Sequence, residues 1–257
     1  MDYILISIVA FIGAGLTLFS GFGLGTLLMP VFGLFFPIEI AIGMTAIVHF
    51  ANNVIKLGFF YKHLNWAIIA KFGIPSVIAA YMGAYLLTLL TGLSPLFTYT
   101  IATYEFTVTP IKLTIALLLL FFSTIELLPK FSELKFDNKY LPYGGLLSGF
   151  FGGLSGNQGA FRSAFLIRSG LTKETFVGTG VVIACFVDIT RLSVYSQSTL
   201  AHVDESKAAL LIAAIVSAFV GVYVGNRLIK KITIKLLQQI VASMIFVFSI
   251  LLGFGIV

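Results

Sequence analysis

The sequence predicts an all-α integral membrane protein of two inverted repeats, each a broken or re-entrant helical hairpin plus three transmembrane helices. Three observations predict it. The 257 residues are 59% hydrophobic and only 10% charged, where a soluble domain carries about 25% charged residues. The apolar residues gather into eight runs that are almost free of charge. Residues 20 to 61 are echoed 135 positions later by residues 155 to 196, so that Ser20 falls on Ser155, Glu39 on Glu174, Gly43 on Gly178, Asn53 on Asp188 and Lys56 on Arg191. A duplicated membrane unit with an interrupted helix in each copy is the layout of secondary transporters.

The first run, Tyr3 to Ile38, holds no charge. As one straight helix, Tyr3 to Phe36 would be about 50 Å long at 1.5 Å per residue, well beyond the ~30 Å hydrocarbon core. Ser20-Gly-Phe-Gly-Leu-Gly25 lies at its middle. The segment is therefore either a kinked span or a hairpin that enters the bilayer and returns. Runs at 40–55, 72–91 and 113–125 supply the next three helices, the last by absorbing a lysine that snorkels from one end. The stretch 92–110 reads as a loop. Residues 130–142 hold Lys130, Glu133, Lys135, Asp137 and Lys139 and read as a cytoplasmic linker. It separates a first membrane repeat at 1–129 from a second at 143–257. The second repeats the order: a run at 143–161 broken at Gly152-Gly-Leu-Ser-Gly-Asn-Gln-Gly159, then helices at 175–187, 208–226 and 236–257.

Charge asymmetry favours hairpins over full spans. If the first hairpin enters from outside, the loops with Lys62, Lys71, Lys130, Lys135, Lys139, Arg168, Lys173, Arg227, Lys230, Lys231 and Lys235 all face the cytoplasm. Full crossings would put the 130–139 and 227–235 clusters on opposite sides. Three crossings per half is an odd number, so the halves are inverted. Small residues recurring every fourth position, Gly13, Thr17, Gly21 and Gly25, then Gly145, Gly149 and Gly153, predict close helix packing, as does the Gly221/Gly225 pair.

Unwound backbone in a bilayer must line a wet cavity or be buried in protein, which directs attention to the two breaks. Helix N-termini carry free N–H groups and partial positive charge, and two of them converging would hold an anion without a metal. The candidate substrate-binding residues are Ser20, Gly21, Gly23, Gly25 and Thr26 in the first break and Ser155, Gly156, Asn157, Gln158, Gly159 and Arg162 at the second. Arg162 stands in an otherwise uncharged half-helix. It is an oxyanion fork, the partner of a carboxylate such as Asp188, or a base that snorkels toward the cytoplasm. His49, Asn52, Asn53 and Lys56 share one helical face, and Asp188 and Arg191 repeat the last two positions. These six are candidates for gating or coupling; the duplicated pairs Asn53/Lys56 and Asp188/Arg191 lie near the outer end of the helix and His49 near midspan. Asp188 and Arg191 can also simply pair, and His49, which titrates near neutral pH, can carry a proton or serve as a hydrogen-bonded structural residue. Glu39 and Glu174 read as caps.

The net charge of +6 does not indicate nucleic acid, because the bases sit in short loops. The lone Cys185 offers neither disulfide nor metal set. With histidines only at 49, 63 and 202 and no HExxH or serine–histidine pattern, the chain reads as no enzyme. It needs no cofactor and no metal. Its expected partners are the lipid bilayer and a small anionic substrate; a homodimer stays open.

The glycine motifs, Ser20-Gly-Phe-Gly-x-Gly with Pro30 and Gly152-Gly-x-Ser-Gly-x-x-Gly159, in a duplicated eight-segment chain of this length resemble the TauE/SafE family of sulfite and organosulfonate exporters. The resemblance covers nearly the whole chain. Leu24 interrupts the fuller glycine run of the family's first break, and Asn157-Gln158 stands in the second copy. The resemblance implies a secondary transporter, or permease, that exports small sulfur-containing anions such as sulfite, sulfoacetate or thiosulfate across the cytoplasmic membrane. Substrate would bind at the midplane between the two broken helices, with one half rocking against the other. An anion channel, or a transporter of another small organic anion, is the alternative.

Overall fold

The structure, a computed structural model, describes residues 2–17, 23–128, 136–197, 205–228 and 234–257. It is helical almost throughout. The first hydrophobic run forms two short helices, α1 (Asp2–Leu16) and α2 (Leu24–Gly33), followed by α3 (Ile38–Phe60), α4 (Trp66–Thr91) and α5 (Pro110–Leu127). The second half forms α6 (Leu141–Ser155), α7 (Gly159–Leu166), α8 (Lys173–Tyr195), α9 (Glu205–Leu228) and α10 (Ile234–Gly253). Among the described residues, five helices are long and apolar enough to cross a membrane, and large apolar side chains such as Ile78, Tyr81, Leu117 and Ile212 lie exposed on them. This is a membrane protein of the all-α class.

The two overlong runs turn back on themselves. A Cβ on Gly13 of α1 would meet the Leu24 and Leu27 side chains of α2, and one on Gly144 of α6 would meet the Phe165 ring of α7. Residues 14 and 21 positions apart touch only if the chain reverses, so each first segment is a hairpin and not a kinked rod. The duplication is visible in the helices: α3 and α8 are both 23 residues long, and their ends differ by the same 135 positions.

Sequence explains most of the boundaries. Thr109 and Thr172 cap α5 and α8 by accepting from Lys112 N and Thr175 N, the side-chain capping that orphan N–H groups require. Asn65 does the same for α4. Within α4, residues Ile69–Gly73 form a π-turn just ahead of Pro75, where a proline has no N–H to give and crowds the preceding turn. Gly156 ends α6 with φ of 82°, the left-handed cap that glycine takes without penalty. Glu39 and Glu174 stand in the first turns of α3 and α8, where their charge suits the helix dipole.

The stretch 92–110 departs from the loop expected. It contains a β-hairpin, β1 (Phe97–Ile101) antiparallel to β2 (Tyr104–Val108). Alternating aromatic and β-branched residues, Phe-Thr-Tyr-Thr-Ile and Tyr-Glu-Phe-Thr-Val, favour strands. The hairpin is tied down by the Tyr99 hydroxyl, which donates to the Phe254 carbonyl.

The main interfaces are α1 on α9, α6 on α4, α3 on α8 and α5 on α10. The first two are the same pair with the halves exchanged, and the last two join each helix to its own counterpart. Backbone meets backbone where they are tightest. A Cβ on Gly149 or Gly153 would collide with the carbonyls of Ser76 or Ala80 on α4, and one on Gly221 with that of Phe11 on α1. Ser76, fully buried, has its hydroxyl within 2.8 Å of Phe72 O and 3.0 Å of Gly145 O and shares its one hydrogen between α4 and α6. The packing read from Gly145, Gly149, Gly153, Gly221 and Gly225 is therefore present; Gly13 packs instead within its own hairpin, and Gly21 lies outside the described residues.

Candidate functional site

Where α3 crosses α8, the apolar core gives way to a polar cluster. The stripe His49, Asn52, Asn53 and Lys56 faces inward, each residue at most 4% exposed, and Asp188 and Arg191 on α8 are fully buried. All six are buried, and Lys56 and Arg191 each lie four residues before the C-terminal end of their helix, Phe60 in α3 and Tyr195 in α8. Asn53 and Asp188, the residues the repeat superposes, touch: the Asn53 amide donates to Asp188 Oδ2 at 3.1 Å.

Asp188 organises the cluster. Arg191 Nε and Nη2 donate to its Oδ1 at 3.0 and 2.8 Å, joined by Gln158 Nε2 at 3.4 Å. His49 Nδ1 lies 2.7 Å from Oδ2. An ionised carboxylate only accepts, so Nδ1 carries the proton, and the Asn53 amide bonds Asp188 rather than the ring. Five donors exhaust the roughly four lone-pair directions of a carboxylate. Asp188 has nothing left for another cation.

Among the described residues, two further buried cations, Lys56 and Arg162, line the neighbouring cavity without a carboxylate partner. Lys56 Nζ bonds Thr17 Oγ1, at 3.4 Å, a hydroxyl that itself donates to Gly13 O. Arg162, projecting from α7, donates from Nη1 to Gln158 Oε1 at 3.3 Å. The pairing of Arg162 with Asp188 is not made; Arg191 holds that carboxylate, being three residues along the same helix with both fork nitrogens aligned.

Between these groups lies a cavity of about 30 Å³, lined by Thr17, Gly23, His49, Lys56, Arg162 and Gly180 among others. At roughly 10–15 Å³ per water it holds two or three waters, the scale of one small solute. Gly23 opens it toward His49: a Cβ there would lie 3.0 Å from Nε2. Gly180 opens it toward Arg162 in the same way. The first break thus contributes Gly23, and the half-helix after the second contributes Arg162, to one hollow.

The other expected binding residues are placed differently. Gly25 lies against Thr45 and His49, Gly156 against Arg191, and Thr26 and Gly159 are buried. Ser155 and Asn157 bond within the second break, Asn157 to Ser155 Oγ and Ser155 to Phe151 O. The Gly156 and Gln158 amides are also spent there. Charged side chains, more than free helix ends, line the hollow. Ser20 and Gly21 lie outside the described residues. Asn52 is buried with neither amide atom bonded among the described residues. Sequence reasoning does not single out Thr17, Ser163, Gly180 or Tyr195 as site residues. Tyr195, whose hydroxyl donates to Gly153 O, falls on Phe60 in the repeat and so carries no polar signal.

A family model described as Sulfite exporter TauE/SafE matches residues 5–252 of the 257. The chain belongs to the TauE/SafE family. No curated protein matches it. As a TauE/SafE protein it is a multi-pass membrane transporter of the sulfite and anion exporter type. In this TauE/SafE member the buried polar cluster lies wholly within the matched span.

Proposed function

We propose that the protein is a secondary exporter of small sulfur-containing anions such as sulfite, sulfoacetate or thiosulfate, not an enzyme, and that the anion binds in the cavity between Lys56, Arg162 and His49. The observation that carries this reading is a hollow faced by two cations whose nearest carboxylate is saturated. Burying a cation without a counter-charge is costly, and an anion shared by Lys56 and Arg162 removes that cost. Membership of an exporter family supports the same conclusion.

In this reading repeats 1–129 and 143–257, joined by a cytoplasmic linker, lie inverted in the cytoplasmic membrane. His49, between Asp188 and the cavity, is placed to carry a coupling proton. Asn53, Asp188 and Arg191 hold the crossing through their hydrogen bonds, and Asn52 stands beside them as a gating candidate. Purified protein in liposomes should take up labelled sulfite or thiosulfate, faster when unlabelled anion is trapped inside. A charge-assisted hydrogen bond is worth about 1.5–3 kcal/mol, so Arg162→Ala and Lys56→Met should each raise the half-saturating concentration about tenfold or more. Full transport by both variants would remove this cavity from the pathway.

A further inference from the structure

We propose that the cavity discriminates by charge, taking doubly charged oxyanions in preference to singly charged ones of the same shape. The inference rests on the anion-transport reading and adds to it which charge state the site accepts. It follows from what the repeat duplicates and what it does not. Lys56 and Arg191 are counterparts, and each has a residue three positions earlier that can face it: Asn53 for Lys56, Asp188 for Arg191. Where the second copy carries a carboxylate, the first carries an uncharged amide. Arg191 is consequently neutralised by a bidentate bond, and Lys56 is not.

Arg162 adds a second charge. Its counterpart in the first copy is Leu27, so this cation too has no symmetric balance, and its described side-chain bond is to the neutral Gln158. Asp188 brings one negative charge, matched by Arg191, and its five donors leave no hydrogen-bonding position for Arg162 or Lys56. The cavity is therefore faced by two positive charges that the described residues leave uncompensated. A monoanion would leave one of them buried and unpaired, whereas a dianion neutralises both. The small volume, about 30 Å³, restricts the choice to compact anions.

Thiosulfate and methanesulfonate test this, since both are tetrahedral sulfur oxyanions and one carries a terminal sulfur with charge where the other has a methyl group. Each is added as competitor to labelled sulfite exchange by the wild-type protein in liposomes. Thiosulfate should compete at least about tenfold better, and Lys56→Met should bring the two within about threefold of each other. Equal competition in the wild type, or an unchanged ratio in a folded Lys56→Met protein, overturns the proposal while leaving anion transport standing. Absence of any sulfite exchange by the wild type overturns both. The wild-type comparison stands alone should the variant fail to fold.

Discussion

Replacing Asp188 by asparagine tests the organisation of the cluster. The carboxylate is fully buried and accepts from Arg191, His49, Asn53 and Gln158. In the Asp188→Asn variant the new amide would offer one acceptor oxygen and turn an NH2 group toward donors. Arg191, itself fully buried, would lose both its charge partner and its bidentate bond. Removing one member of a buried ion pair costs about 3–5 kcal/mol, which for a chain of this size lowers the unfolding midpoint by roughly 10 °C. Thermal unfolding of detergent-purified protein, followed by intrinsic fluorescence, measures it. Because the cost comes from the stranded guanidinium, Asp188→Asn combined with Arg191→Met should recover part of the loss. A single variant as stable as the wild type, or a double variant as unstable as the sum of both single ones, would refute the reasoning.

Gly156→Ala combines a left-handed backbone with a Cβ that would sit 2.8 Å from Arg191 Nη1, so it should lower the thermal midpoint by several degrees and weaken anion affinity together. Gly149→Leu drives a side chain into the Ser76 carbonyl and should prevent folded protein from accumulating, whereas Gly58→Ala, with nothing within 4 Å of its Cβ, should stabilise by up to about 1 kcal/mol; thermal midpoints of the two rank them. Tyr195→Phe removes the donor to Gly153 O and should cost about 1 kcal/mol, read by the same fluorescence assay.

Much of this architecture was legible because lipid imposes strict rules. Runs without charge marked the helices, the glycine breaks marked both overlong segments as interrupted, and the asymmetry of the loop charges favoured hairpins over kinked spans. The pairing of Asn53 with Asp188 was visible as a duplicated position. That they touch required the crossing of α3 and α8. The sequence left Asp188 two partners, Arg162 and Arg191; helical register selected Arg191, whose fork reaches the carboxylate within one turn. Gly180 gave no warning, because its role is the room it leaves for a side chain from another helix. The hairpin at Phe97–Val108 did carry an alternating pattern, but hydrophobic periodicity in a membrane chain draws attention to the helices.

The interfaces bear on how such a protein can move. Rocking of one sequence half against the other would slide α4 past α6 and α1 past α9, since both contacts cross the halves. Those are the contacts where glycine lets backbone lie on backbone, through Gly149 and Gly153 on one side and Gly221 on the other. Close packing of this kind resists shear. The α3–α8 crossing is different: it surrounds a hollow and is held by polar bonds that can exchange partners. The packing therefore predicts that α4 with α6 and α1 with α9 move as units, turning about the α3–α8 crossing. Spin labels at the exposed positions Tyr81 and Leu146 report the first interface, and labels at Val54 and Ile189 report the crossing. Adding sulfite should shift the distance distribution for the second pair and leave the first unchanged. A shift of equal size between Tyr81 and Leu146 would restore the sequence halves as the moving bodies.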